Sequence, residues 1–480
     1  MTLAHTPPRI VIAEVTAGGG VIGIAPCPGQ ASSHSADFLA ADLDRVAEWN
    51  AAFVLTLIST AGLTAAGVMS LGAEVQRRHM VWSQLPIDDF GVPDAAFESA
   101  WPRQSAVIRS LLARGNRVLI HCKHGLGRSG MIAARLLIEL GVAPASVVAR
   151  VRTARPGAIE TAAQAQWAVA GRPMPLPLPD RSQGGARDRA VGALLGLAIG
   201  DALGTTLEFE AKPTYAVLQD IVGCGPFDLR AGEWTDDTSM ALALADSLLH
   251  DPALDPHDLM GRFVSWKRDG NYSCTGACFD IGNATRASLE QFMRDGNPIA
   301  GSVAADASGN GALMRLAPVA IRHWRHRDAL QRVAVLQTRT THGAPATVAA
   351  SLALGGMLAQ AIGGEPLPSI LASPDAAIEG GWKNLPRAAV EGSGHVTRSL
   401  QAAIWAVSRS TDFRSAVLLA ANLGDDADTT AAIAGQLAGA TYGATGIPGA
   451  WLAGLAWRDR LETAATDLFT ASLSADPAGA

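Results

Sequence analysis

Two patterns of apolar and polar positions follow one another along the chain. In the first third, short apolar runs alternate with amphipathic stretches. Ile10 to Val15 and Val21 to Ala25 read as strands joined at Gly18, Gly19 and Gly20, and Phe53 to Ile58 as another strand behind an amphipathic helix. Ala95 to Leu112 has helical spacing, with Pro102 as its expected break. Arg117 to Cys122 is an apolar strand that runs into a glycine-containing loop ending at Ser129, then into a helix from Gly130 to Leu140 that Gly141 closes. From Asp188 nearly to the end the period is helical and strand alternation is scarce. Between the two patterns lies a break in composition. Pro173, Pro175, Pro177 and Pro179 alternate and predict an extended, semi-rigid spacer, which Gly184 and Gly185 are expected to relax. The predicted division is a first domain over 1–171, a Pro/Gly-rich linker over 172–187 and a second domain over 188–480.

Composition narrows the class. With 480 residues, 48% hydrophobic, 17% charged and 50 glycines, the chain suits well-buried globular domains rich in small residues. A net charge of -6, with no basic run carrying interleaved aromatics, argues against nucleic acid as a partner. The five cysteines form no C-x-x-C pair, so neither a disulfide framework nor a zinc ribbon is expected. Met1 to Pro8 lacks a charged segment followed by an apolar one, and no uninterrupted apolar run is read as a membrane span. The expectation is a cytoplasmic protein without a membrane partner.

Glycines 192, 196, 200 and 204 recur every fourth residue and share one helical face, and glycines 435, 439 and 443 repeat the spacing. Such a face lets a second backbone approach closely. Both helices are therefore expected to be buried against a neighbour near a common site.

Two stretches carry chemistry. In the first, Cys122 stands at the start of a strand-loop-helix passage that ends in Arg128 and Ser129. Backbone N–H groups of such a loop, with the helix dipole, make an anion cradle. The same field lowers a thiol pKa, leaving Cys122 a nucleophilic thiolate; Arg128 is placed to clamp phosphate oxygens and Ser129 to donate a hydrogen bond to the departing thiolate. Asp88, Asp89 and Asp94, on a Pro/Gly-rich loop, are candidate general acids, and His124 is a loop-shaping or substrate-contact residue. In the second stretch, Gly424 to Thr430 packs three carboxylates and two hydroxyls ahead of an apolar helix, and Thr235 to Thr238 repeats that character. Buried carboxylates need a positive partner, and hard oxygen donors suit Mg2+, Mn2+ or Ca2+. The small-residue turn of Gly309, Asn310, Gly311 and Ala312 suits close approach of a phosphate or diphosphate.

The passage from His121 through Cys122 to Arg128 and Ser129, with Pro86-Ile87-Asp88-Asp89 upstream, resembles the cysteine-dependent protein phosphatases of the dual-specificity type over roughly Ile10 to Val169. The resemblance implies an α/β phosphatase fold with a central, mostly parallel sheet and Asp89 as the acid. Arg155 to Gln164 resembles the segment that positions the hydrolytic water, with Glu160 where relatives carry a first Gln and Gln164 at the second position. The later motifs (Gly200-Asp201-Ala202-Leu203-Gly204 with Glu208, Trp234 to Thr238, Gly309 to Arg315, Thr341 to Gly343 and Gly424 to Thr430) resemble the ADP-ribosylglycohydrolase family, in its dinitrogenase reductase-activating and arginine-specific branch. That resemblance implies an all-α orthogonal helical bundle holding two Mg2+ or Mn2+ ions. Its ligands would be Glu208, Thr235, Asp236, Asp237, Asp426, Asp428 and Thr429, with Asp237 and Asp426 catalytic. Gly309 to Ala312 and His342 would hold ADP-ribose, and Asp280 would face a guanidinium leaving group. The family often has Gly and Thr where Asp425 and Ala427 stand. Together the resemblances imply a bifunctional hydrolase whose partners are an ADP-ribosylated protein, or an ADP-ribose derivative, and a phosphorylated substrate. Hydrolysis of free O-acetyl- or phosphorylated ADP-ribose, and a sensor that binds without turnover, are the other readings.

Overall fold

The computed structural model describes residues 10–30, 35–212 and 214–474, so the reading of Met1 to Pro8 lies outside them. These residues fall into two compact units, one up to Pro177 and one from Leu178.

The first unit is built on a five-stranded sheet. Its strands are β1 (Ala13–Ala17), β2 (Gly20–Ala25), β3 (Ala51–Thr56), β4 (Val81–Gln84) and β5 (Arg117–His121), in the order β1-β2-β5-β3-β4. Only β1 pairs antiparallel, with Ala13 opposite Ile24, and the other neighbours are parallel, as expected. Central β5 is apolar because both its faces are covered. Val118 and Ile120 enter one core with Cys122, while Leu119 enters the other. The period of two thus aims Cys122 to the same side as Val118 and Ile120.

Around the sheet lie α1 (Ser35–Glu48), α2 (Ala95–Ala113), α3 (Gly127–Glu139), α4 (Pro144–Ala154) and α5 (Ala162–Val169). Pro102 does not break α2, contrary to the sequence expectation. Pro102 and Glu98, whose carbonyl it leaves without an N–H, both face solvent, so that carbonyl is not lost to an apolar core, while Phe97 and Trp101 anchor the helix in the core. Helix α3 starts three residues earlier than the pattern suggests, and Gly141 closes it at φ +95°.

The second unit is helical, with only isolated bridges outside helices among its described residues. The helices that matter below are α6 (Gln183–Gly204), α7 (Asp236–His250), α8 (Asn283–Asp295), α9 (Arg327–Thr341), α10 (Pro345–Ile362), α11 (Val396–Arg409) and α12 (Ala427–Tyr442). Gly184 and Gly185 do not relax a linker: Ser182 caps α6 by accepting from the Gly185 N–H, which draws both glycines into the first turn. Two helices, α6 and α10, are long and apolar enough to cross a membrane by length and composition, against the expectation of none, and 94% of that window in α6 is buried within the protein.

Helices α6 and α12 meet backbone to backbone. A Cβ on Gly435 would overlap the Gly196 carbonyl, one on Gly439 the Gly192 carbonyl, and one on Gly200 the Ala431 carbonyl. Gly443 differs from the pattern: it ends α12 at φ +76°, and a Cβ there would meet the Asp188 carboxylate. Close packing brings the N-terminus of α12 beside the C-terminal end of α6, where a Cβ on Gly204 would overlap the Ala427 carbonyl. Gly435→Ala is expected to lower the unfolding free energy by roughly 2–3 kcal/mol through overpacking, outweighing the ~1 kcal/mol that Ala gains over Gly in a helix. Gly261→Ala, in a helix with nothing within 4 Å of the added carbon, is expected to stabilise instead. Thermal denaturation of the two variants checks both signs.

Candidate active sites

In the first unit, β5 delivers His121 and Cys122 into a loop whose chain then turns into α3. Gly125, at φ +68°, is required there, because a Cβ would run into the backbone of Ala25 and Pro26. Arg155 holds the outer side of the loop, donating from Nε to the Gly125 carbonyl (3.0 Å) and from Nη2 to that of His124 (3.1 Å). Carbonyls drawn outward leave amide hydrogens on the inner side, the polarity an anion needs.

Cys122 is buried, with Sγ 3.4 Å from the Ser129 hydroxyl. Burial alone would raise its pKa, but the Ser129 hydroxyl, the N–H groups of Ser129 and Leu126 and the Arg128 charge outweigh it and hold the thiol below its ordinary value. Neighbouring His121, bonded through Nε2 to Thr56 Oγ1 (2.7 Å), is pushed by burial down to about 4 and is neutral.

The three loop acids separate by position. Asp89 pairs with Arg128 Nη2 at 2.7 Å, and Arg128 Nη1 donates to the Ile87 carbonyl at 3.1 Å. Asp94 instead caps α2, accepting from the Phe97 N–H at 2.8 Å, and Asp88 faces solvent. Gln164 is fully buried and its amide is committed. Oε1 accepts from the Glu160 N–H (2.9 Å), and Nε2 donates to the Gly91 carbonyl (3.2 Å), clasping the acid loop. The Glu160 carboxylate reaches over Gly127, where a Cβ would collide with it.

In the second unit the N-termini of α7 and α12 converge on one acidic cleft, and their dipoles favour the negative charge gathered there. Glu208, Asp426 and Asp428 each bring a carboxylate oxygen within 4.8 Å of the others. Glu208 accepts from the Ala427 N–H at 2.8 Å, and Asp426 from the Asn310 side-chain amide at 2.6 Å. Thr429 and Asp236 also line the cleft, with Asp280 and Asn283 at its mouth, and its volume is about 560 Å³. Among the described residues that line it there is no Lys or Arg. Burial, then the charge of Asp428, raises Glu208 and Asp236 above the ordinary carboxylate range, and burial followed by Asp236 and Asp428 does the same to Asp280.

Thr235, Asp237 and Ala312 lie beneath the cleft surface. Thr235 Oγ1 donates to Asp201 (2.9 Å) and lies 3.4 Å from Asp428 Oδ2. Asp237 is fully buried; Thr429 Oγ1 donates to its Oδ1 at 3.3 Å, and Oδ2 has no partner among the described residues. Of the two expected catalytic carboxylates, only Asp426 therefore faces the space a substrate can enter. Ala312 is turned into the core, and its carbonyl accepts from Gln337. Gly309, Asn310, Gly311 and His342 do line the cleft. The two glycines let the His342 ring lie close against this turn, since a Cβ on Gly309 would stand 3.2 Å from it and one on Gly311 2.9 Å. An orphaned buried carboxylate oxygen and an all-oxygen donor set with no Lys or Arg among its described lining residues fit a divalent ion such as Mg2+ or Mn2+.

The family model described as ADP-ribosylglycohydrolase matches residues 182–477, the span that holds this cleft. The chain belongs to the ADP-ribosylglycohydrolase family. Similar proteins include an ADP-ribosylarginine hydrolase Tri1 of Pseudomonas putida (strain GB-1), 45% identical over 59% of this chain and 78% of that protein. An ADP-ribosyl-[dinitrogen reductase] glycohydrolase of Rhodospirillum rubrum is 36% identical over 56% of this chain and 90% of that protein. A solved structure described as an ADP-ribosylglycohydrolase-related protein complex is 40% identical and covers 60% of this chain and 99% of its own, with a TM-score of 0.52. The family model described as Cyclin-dependent kinase inhibitor 3 matches residues 19–148. The chain is thus an enzyme that joins a dual-specificity-phosphatase-like domain to an ADP-ribosylglycohydrolase domain.

In the glycohydrolase domain two contributors carry no role in the sequence reading. Asp201 is fully buried and accepts from the N–H and hydroxyl groups of both Thr235 and Thr238, which fixes the turn entering α7. A lone charged residue inside the apolar, glycine-faced stretch Ala190 to Gly204 of α6 is the signal that marks it. Gly394 lines the cleft, its carbonyl accepts from the Asn310 N–H (3.2 Å), and its loop sequence carries no comparable signal.

Proposed function

We propose that this chain is a bifunctional hydrolase. Its glycohydrolase domain removes arginine-linked ADP-ribose from proteins in a metal-dependent reaction, and its phosphatase-like domain hydrolyses phosphomonoesters through the Cys122 thiolate. The observation that carries the first half is the approach of Glu208, Asp426 and Asp428 within 4.8 Å in a cleft with no Lys or Arg among its described lining residues. The relatives named for arginine-linked ADP-ribose support the linkage. Glu208, Asp236, Asp426, Asp428 and Thr429, backed by Thr235 and Asp237, would hold one or two Mg2+ or Mn2+ ions, which when bound orient ribose hydroxyls and polarise water.

The chain's own residues do the rest. Asp280, beside Asp236 at the mouth, accepts hydrogen bonds from the guanidinium of the modified arginine. Asp426, aimed by Asn310, takes a proton from the attacking water as its oxygen bonds to the ribose anomeric carbon. The bond from that carbon to the guanidine nitrogen breaks with its electron pair on nitrogen, and the proton passes to that nitrogen. In the other domain Cys122 attacks phosphorus, Arg128 holds two phosphoryl oxygens, and Asp89 protonates the leaving oxygen. Water then cleaves the S–P bond.

The deciding experiment offers purified protein an arginine-linked and a serine-linked ADP-ribosylated protein, with Mg2+ or Mn2+ and with chelator, and para-nitrophenyl phosphate in parallel. Release of ADP-ribose from arginine only, lost with chelator, together with chelator-insensitive phosphate release, is expected. Turnover of free O-acetyl-ADP-ribose but of neither protein would overturn the first half. Mg2+ or Mn2+ should also raise the melting temperature, with a stabilisation of roughly 2.7 kcal/mol at one hundred times Kd. Calorimetric scans with added cation or chelator measure this.

A further inference from the structure

Helix α9 ends at Thr341, and His342 follows it into the floor of the cleft. Thr341 Oγ1 lies 2.8 Å from His342 Nδ1 and receives a hydrogen bond from Arg315 Nη2 at 2.7 Å. Arg315 is fully buried and can only donate. Its other bonds run to Gln337 (Nε to Oε1, 3.1 Å; Nη2 to the carbonyl, 3.2 Å) and to the Gly311 carbonyl (3.0 Å), so its position is over-determined. The guanidinium occupies an acceptor lobe of the Thr341 hydroxyl. That hydroxyl has one hydrogen and, among the described residues, one acceptor left for it, which is His342 Nδ1. The opposite arrangement, with Nδ1–H donating to Thr341, would leave a buried hydroxyl hydrogen without a partner, at a cost of about 1–3 kcal/mol. The ring does not escape by taking a second proton, since burial, reinforced by the Arg315 charge, lowers His342 to about 3.

We propose that Arg315 and Thr341 are positioning residues that fix neutral His342 as its Nε2–H tautomer, presenting an N–H donor to an acceptor oxygen of ADP-ribose. The inference rests on the ADP-ribose reading above and deepens it. Nε2 is the ring nitrogen beside Gly309 and Gly311, and among the described residues no protein acceptor meets it. A consequence follows for the chemistry. The nitrogen that faces the cleft already carries its hydrogen, so His342 binds and orients but does not take a proton from water.

Nitrogen-15 NMR of the full chain labelled at histidine reads the tautomer directly, with His342→Asn assigning the resonance among the 11 histidines. A pyrrole-type Nε2 and a pyridine-type Nδ1, unchanged from pH 6 to pH 8, are expected in the unmodified protein. Thr341→Val should mix the tautomers and weaken ADP-ribose binding by roughly tenfold in titration calorimetry, the scale of one hydrogen bond lost. Thr341→Ser should restore both. A purely structural role for Thr341 would change stability without moving the nitrogen shifts. An Nδ1–H tautomer in the unmodified protein, with ADP-ribose binding intact, overturns the inference alone and needs no variant to fold. Failure of the unmodified protein to bind ADP-ribose overturns the reading beneath it and the donor role together.

Discussion

Asp426→Ala is expected to cut de-ADP-ribosylation by more than about a hundredfold in kcat/KM, beyond what loss of a supporting contact around a metal causes. That corresponds to at least ~2.7 kcal/mol of transition-state stabilisation. The side chain joins three parts of the site: it stands with Glu208 and Asp428, faces the cleft, and takes the Asn310 amide at 2.6 Å. Its loss should not unfold the domain. Burial, followed by the charge of Asp428, already raises Asp426 above the ordinary carboxylate range, so removing one carboxylate relieves repulsion when no cation is bound. The variant is therefore expected to melt no lower than the unmodified protein in chelator and to lose most of the stabilisation by Mg2+ or Mn2+. Unchanged turnover with a retained cation response would remove Asp426 from the site. Phosphate release by the other domain serves as the internal control.

Cys122→Ser should abolish phosphatase turnover, by on the order of 10⁴-fold or more, as loss of the attacking nucleophile does in covalent hydrolases. The serine hydroxyl ionises far less readily, and the loop is tuned to a thiolate by Ser129, two backbone N–H groups and Arg128. The same tuning predicts selective chemistry. At pH 6, iodoacetamide should label Cys122 and leave Cys27, Cys274 and Cys278 untouched, because burial pushes those thiols up to about 12, 12 and 11. Mass spectrometry of the alkylated chain decides it. Release of ADP-ribose should continue in the serine variant, and a parallel loss of both activities would contradict two independent sites.

The contrast between the two sites shows how much a sequence exposes. Cys122, Arg128 and Ser129 lie within eight residues on a strand, a loop and a helix N-terminus, so local backbone geometry alone brings them together. Asp88, Asp89 and Asp94 look alike in the sequence, and only the fold sets them apart by what they meet: solvent, Arg128 or the start of α2. Gln164 shows the limit of a motif. Its place along the chain suggests contact with water, whereas its amide is committed to the Gly91 carbonyl and the Glu160 N–H.

By itself the sequence determined the two compositional regimes, the cysteine loop, the paired glycine faces and the presence of acidic helix entrances, because each depends on residues within a few turns of one another. Tertiary structure decided which carboxylates share a space. Glu208 lies just beyond the end of α6, and Asp426 and Asp428 lie at the start of α12, so they meet where the two helices run backbone to backbone, a closeness that depends on glycines along both. It also decided that Asp201 supports Thr235 and Thr238 from below, that Asp237 is buried beneath the cleft, and that Arg315 and Thr341 govern the ring of His342. Burial leaves these polar atoms few partners, and the choice among partners distant in the chain is made by packing.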